Sequence, residues 1–235
     1  MKHTMQTPTM HKAMIAVAAA GLFSLGTSAA FAQQVPQSAD MTVTGTIVPA
    51  ACSVDFEGGG VFDFGRARLI DLPANAHYRM GTKTMSLNVT CASKKRVMVR
   101  VLDMQPDSRI VGAEMRTATG ASVDGQIFGL GMATVGSGST SLGSYSLTVS
   151  APKIDGASSA LVYTIDNGAS WRASLGLMSY NDGAFVTGAT GTTPITGTRF
   201  VFPVTVQVAL NYGSRLQVAQ DTPFNGQTTI AINYQ

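Results

Sequence analysis

The chain is predicted to be an all-β sandwich or barrel. Three observations carry this: apolar residues recur with period two along several runs, Gly-containing turn pairs separate those runs, and charge is sparse at 12% while Ser, Thr and Gly abound. No helical stripe longer than a few turns follows the first residues.

Those first residues form a targeting segment. Lys2 and Lys12 are the only charges ahead of an apolar run from Ala13 to Leu25, too short to span a bilayer and suited to a signal-peptide core. Ala30-Phe31-Ala32 offers the small residues a signal peptidase needs, so residues 1–32 are read as the signal, with Ser28-Ala29-Ala30 as a second choice. Met10 is an alternative start. Removal takes away two lysines and no acids, and the formal charge falls from +3 to +1. The basic isoelectric point of the precursor therefore gives little support to a nucleic-acid partner or an anionic membrane. No later run is long enough for a membrane helix.

The exported chain has two cysteines, Cys52 and Cys91, which in an oxidising compartment point to one disulfide. A loop of that length is worth about 4 kcal/mol in the chain-entropy picture. His77 is the only histidine after the signal, so neither a zinc site nor a Cys–His pair is expected. No cofactor is expected.

Between the signal and Gly45 lie residues 33–44, whose only charge is Asp40. Val35, Gln37, Ala39, Met41 and Val43 fall on one side of an extended chain, and Pro36 keeps the start out of a central strand. This is either a frayed terminus or a strand lent to a neighbour. Next, Met85, Leu87, Val89 and Cys91 alternate with polar residues. After Lys94-Lys95-Arg96, Val97, Val99 and Val101 continue the pattern, and the two runs are expected to form a hairpin. The stretch Gly136–Gly143 is expected to be a long loop. Tyr145, Leu147 and Val149 mark another strand. Phe200, Phe202, Val204, Val206, Val208 and Leu210 mark the longest one, with Pro203 suggesting an edge or bulge early in that strand. Asp124-Gly125, Asp155-Gly156, Asn167-Gly168, Asp182-Gly183 and Asn225-Gly226 supply turn signals that separate these runs. The final run is Ile230-Ala231-Ile232-Asn233-Tyr234-Gln235.

The segment Thr44-Gly45-Thr46-Ile47-Val48-Pro49-Ala50-Ala51-Cys52, a second cysteine some 40 residues later and a penultimate tyrosine resemble chaperone–usher pilins. Together with Val61-Phe62-Asp63-Phe64-Gly65 they look like a group of fimbrial-like proteins of undefined function. The resemblance covers the front third and the last strand. It implies an immunoglobulin-like β-sandwich over 45–235 that lacks its final strand, preceded by a donor-strand extension at 33–44. Val35, Ala39, Met41 and Val43 would be donor residues, and Cys52–Cys91 the disulfide. Ile230, Ile232 and Tyr234, with the end of the chain at Gln235, would be held first by a periplasmic chaperone. An outer-membrane usher and neighbouring subunits are the other implied partners, and the cell-surface fimbrium the implied location. Many pilins carry a glycine where this chain has Thr222, the nearest being Gly226.

Other readings compete. Lys94-Lys95-Arg96 is an anion contact or a solvated turn with gatekeeping charges, and the turn is preferred. Trp171 is a sugar platform in an adhesin or a packing residue, and packing is preferred. A hydrolase centred on His77 would lack a Gly-x-Ser-x-Gly elbow. A non-enzymatic assembly subunit is therefore expected. The alternatives are a minor or receptor-binding adhesin of the same system, or a free-standing secreted β-sandwich.

Overall fold

The computed structural model describes residues 52–110, 116–117, 120–121, 124–180 and 182–235. The signal 1–32, the extension 33–44 and the part of the motif before Cys52 lie outside the described residues.

Eight principal strands build two antiparallel sheets: β1 (Cys52–Phe56), β2 (Tyr78–Lys95), β3 (Val97–Asp103), β4 (Gly143–Val149), β5 (Ala160–Thr164), β6 (Phe185–Thr190), β7 (Gly197–Leu210) and β8 (Thr228–Tyr234). The first sheet runs β1-β2-β7-β4, with Phe128–Gly129 beyond β4. The second runs β5-β6-β3-β8, with Arg172–Ala173 outside β5. The fold is all-β and its two sheets close on one core, a β-sandwich. From β7, Phe200, Phe202, Val204 and Val208 are buried; from β3, Val97, Val99 and Val101. Period-two patterning places these rows inward because successive side chains leave a strand on opposite faces.

Cys52 and Cys91 are directly opposed on β1 and β2 and form the disulfide, with Cα atoms 4.0 Å apart. It anchors the short edge strand to a long central one.

Two local expectations are corrected. The two runs around Lys94-Lys95-Arg96 are not a hairpin. β2 lies in the first sheet and β3 in the second, and the chain crosses between them at Arg96. Alternation identifies the buried face but not the strand alongside, so two facing rows look the same as two paired ones. Arg96 N–H donates to Gln235 O at 2.9 Å, and Gln235 N–H to Arg96 O at 3.0 Å, so β3 joins the second sheet at once.

Gly136–Gly143 is not a long loop. Met132–Val135 and Gly138–Ser141 pair as a hairpin, turning at Gly136 with φ 60°, and Gly143 already belongs to β4. The bulge expected early in the strand of Pro203 is present, as a register shift of β7 at Gly197/Arg199, while the edge is not: Pro203 sits in a central strand, and a second shift lies at Val208/Ala209. The Pro203 carbonyl accepts from Ser150 N–H at 2.9 Å, so its missing donor faces the same side. There the neighbour changes from β4 to Lys153–Ile154, and no ladder bond is forfeited. Asn225-Gly226 falls between β7 and β8 and separates these runs.

Asp155-Gly156 does make a two-residue hairpin between Lys153–Ile154 and Ala157–Ser158. Both residues have positive φ, 49° and 88°, the combination a twisted hairpin favours. The Asp155 carboxylate accepts from Arg199 N–H and from the N–H and hydroxyl of Thr198. These donors hold its pKa below the ordinary carboxylate range.

Replacing Cys52 and Cys91 together by Ser is expected to cost about 2–5 kcal/mol, because the open chain regains the entropy of the closed loop. Urea unfolding of the purified variant against the oxidised protein measures this, and an unchanged midpoint would contradict it.

Candidate functional site: an open cleft between two edge strands

Among the described residues, β1 pairs only with β2, and β8 only with β3. Their free edges flank one cleft. On the paired side everything is covered: Val89 opposite Val54, and Val99 and Val97 opposite Ile232 and Tyr234, are all 0% exposed. Directly opposed residues share a face, so Val54 and Tyr234 also point inward, yet they are 49% and 42% exposed. Ile230 and Ile232 are half-buried. Core-facing side chains remain uncovered on the two strands that border the cleft.

The backbone of β8 repeats this asymmetry. Arg96 and Gln235 exchange bonds, and Met104 N–H donates to Gln227 O at 3.0 Å. Bonded pairs alternate in an antiparallel ladder, so the odd-numbered residues of β8 bond to β3. The N–H and C=O groups of Thr228, Ile230, Ile232 and Tyr234 therefore face the open edge. The structure brings Ile230, Ile232 and Tyr234 together along one rim, while Gln235 is engaged by Arg96, whose Nη1 also lies 3.4 Å from Gln235 Oε1.

The cleft holds about 550 Å³. Its floor is Leu87, Leu130, Leu147, Val204, Val206 and Val208, and its rims are Val54, Phe56, Thr228 and Ile230. Tyr145 also lines the cleft, stacked on Phe128 with ring centres 5.4 Å apart. The Tyr145 hydroxyl bonds Thr228 Oγ1 at 2.6 Å, and burial raises the phenol pKa well above its usual value. Gly226 lies against this ring: a Cβ there would stand 2.3 Å from a Tyr145 ring carbon.

A second cleft of about 970 Å³ continues the first, sharing Val61, Phe62, Phe64, Phe224 and Asn225 with it. Its lips are the segments 61–69 and 216–225. Phe62–Ala67 belongs to no sheet ladder. Phe62 and Phe64 turn toward the core between exposed neighbours, and Phe62 meets Phe56 edge-on at 5.8 Å. Arg66 on one lip bonds Asp221 on the other at 3.0 Å, whereas Arg68 and Asp71 pair within one lip at 2.8 and 2.9 Å. Hydrogen bonding to Asp71 raises the Arg68 pKa, and hydrogen bonding to Arg68 lowers that of Asp71. Lys83 Nζ sits 5.8 Å from the centre of the Phe64 ring.

Chemistry-bearing candidates lie elsewhere and are engaged in packing. His77 Nδ1 is 3.4 Å from Leu210 O, and its ring lies 4.6 Å from Tyr212. Trp171 is half-buried, donates from Nε1 to Gly168 O at 3.1 Å, and has Arg96 Cζ 6.0 Å from its ring centre. Among the described residues no three His, Cys, Asp or Glu side chains form a possible metal cluster. Val35, Ala39, Met41 and Val43 fall outside the described residues. The lip residues Arg66, Asp221 and Phe224, and the contacts of Tyr145 with Gly226 and Thr228, leave no mark in the sequence, because no local pattern connects segments so far apart. The alternation of Phe62 and Phe64 was the one signal available.

Two comparisons bear on relationship. The model of a family described as "Protein of unknown function (DUF1120)" matches residues 41–158. Protein GltF of Escherichia coli (strain K12) is 25% identical over 245 aligned positions, covering 88% of this chain and 92% of that protein.

Gly226→Ala is expected to destabilise the fold by about 1–3 kcal/mol, since the tethered Tyr145 ring cannot retreat freely. Tyr145→Phe removes only the bond to Thr228 and should cost about 1 kcal/mol. Thermal unfolding of both variants tests the ranking; a milder effect for Gly226→Ala than for Tyr145→Phe would refute it.

Proposed function

From the premise that this chain belongs to the family of proteins of unknown function DUF1120, whose model spans half its length, we propose that it is a fimbrial-type subunit assembled by strand complementation. In this reading it is exported, held by a periplasmic chaperone, passed through an outer-membrane usher and linked into a surface fibre that contributes to adhesion. The observation that carries the reading is the pair of facing edges with inward side chains uncovered on both.

The mechanism is β-augmentation, not catalysis. An extended segment laid along β8 would bond the free backbone groups of Thr228, Ile230, Ile232 and Tyr234, while its alternate side chains enter the apolar cleft. The segment Phe62–Ala67, also outside any ladder, would border it on the other side. Residues 33–44 of a neighbouring copy are the proposed occupant, through Val35, Ala39, Met41 and Val43. Four apolar side chains contribute about 6–12 kcal/mol before the costs of ordering are deducted. The same edges left empty invite uncontrolled pairing, which is the physical reason for a chaperone. Such an interface joins the front of one copy to the cleft of the next, so repetition yields an open filament.

A synthetic peptide of residues 33–44, added to purified protein lacking them, should raise the melting temperature. At a hundredfold excess over its dissociation constant the gain is about 2.7 kcal/mol, or roughly 5–10 °C for a domain of this size. A peptide with Ser at positions 35, 39, 41 and 43 should leave it unchanged. A stable monomer indifferent to both peptides would mean a closed β-domain and end this proposal.

A further inference from the structure

Among the described residues, one ion pair crosses the second cleft. Arg66 Nη2 and Asp221 Oδ2 meet at 3.0 Å from opposite lips, and both side chains are otherwise open to solvent, 90% and 91% exposed. Beneath them the gap is apolar, lined by Phe62, Phe64, Leu142, Leu210, Leu216 and Phe224. Neither lip is fastened by a ladder: Phe62–Ala67 and Gln220–Phe224 lie outside every strand. The second basic–acidic pair, Arg68–Asp71, stays within one lip and bridges nothing.

We propose that Arg66 and Asp221 form a strap across the cleft, which must part for a strand to enter sideways and which slows both its entry and its exit. This rests on the assembly reading above, and its occupant is the segment 33–44 of a second copy. Fully extended at about 3.3 Å per residue, a strand of that many residues would span roughly 40 Å, more than the seven residues of β8 can pair with. Continued past Thr228, the start of β8, a strand laid along that edge enters the second cleft between the lips and lies beneath the bridge. An exposed ion pair is worth little at equilibrium, so its effect falls on rates more than on affinity. It is also weakened by salt, because both partners are in water.

The test follows binding of a fluorescent 33–44 peptide by stopped flow. It uses protein lacking residues 33–44, with the variants Arg66→Ala, Asp221→Ala, both together, and the exchange Arg66→Asp with Asp221→Arg. The three alanine variants should associate about 2–5-fold faster than wild type and dissociate faster by a similar factor. The exchange should restore the slow rates. Arg68→Ala, which leaves the bridge intact, should behave as wild type. Raising salt from about 50 to about 500 mM should speed the wild type toward the double-alanine variant. Equal rates for all variants, or an exchange variant as fast as the alanine variants, would overturn the strap while leaving the assembly reading intact. No binding of the peptide to the wild type would overturn the assembly reading and the strap with it.

Discussion

Everything in this fold depends on the crossing at Arg96. One residue separates β2 from β3, and its N–H and C=O are both taken by Gln235. Two apolar rows that lie close in sequence are thereby set against each other across the core instead of side by side. The same bonds fix the phase of β8 on β3. A shift of one residue would turn Ile230, Ile232 and Tyr234 to the solvent face and their backbone groups into the ladder. Register, core and open edge thus follow from a single crossing.

The resulting molecule is uneven in how well its residues are satisfied. β7 is paired on both sides along most of its length and buried on one face. The rims opposite it have neither full cover nor full pairing. Hydrophobic burial scales with the apolar area removed from water, so the rims are where the isolated domain has the most left to gain. Near the cleft Arg66 pairs with Asp221, Arg68 with Asp71, Lys83 lies over Phe64 and Asp63 accepts from Gly65 N–H, which leaves the cleft floor to apolar side chains.

Much of the fold was legible because it rests on local alternation. The strands containing Leu87, Leu147 and Val206 follow directly from period two, and Asp155-Gly156 from turn chemistry. What was not legible is pairing. Val97–Val101 carries no mark that its neighbours are β6 and β8, and Pro203 carries none that its vacant side coincides with a change of partner. The Gly136–Gly143 stretch misled because small polar residues suit a tight hairpin as well as a loop. For the cleft, Ile230, Ile232 and Tyr234 were visible as an alternating run. Tyr145, Gly226 and the Arg66–Asp221 bridge were not, since each gains meaning only from a residue distant in the chain.

The position of the disulfide has a mechanical consequence. Tension applied to the chain ahead of Cys52 reaches a covalent link to Cys91 before it reaches any hydrogen bond of β1. The load therefore passes into β2, which is bonded to β7 along nearly its whole length. Peeling β1 away one bond at a time is bypassed, and the long β2–β7 ladder must instead be sheared as a unit. In a domain whose rims are loosely held, pulling force is carried by its best-paired strands.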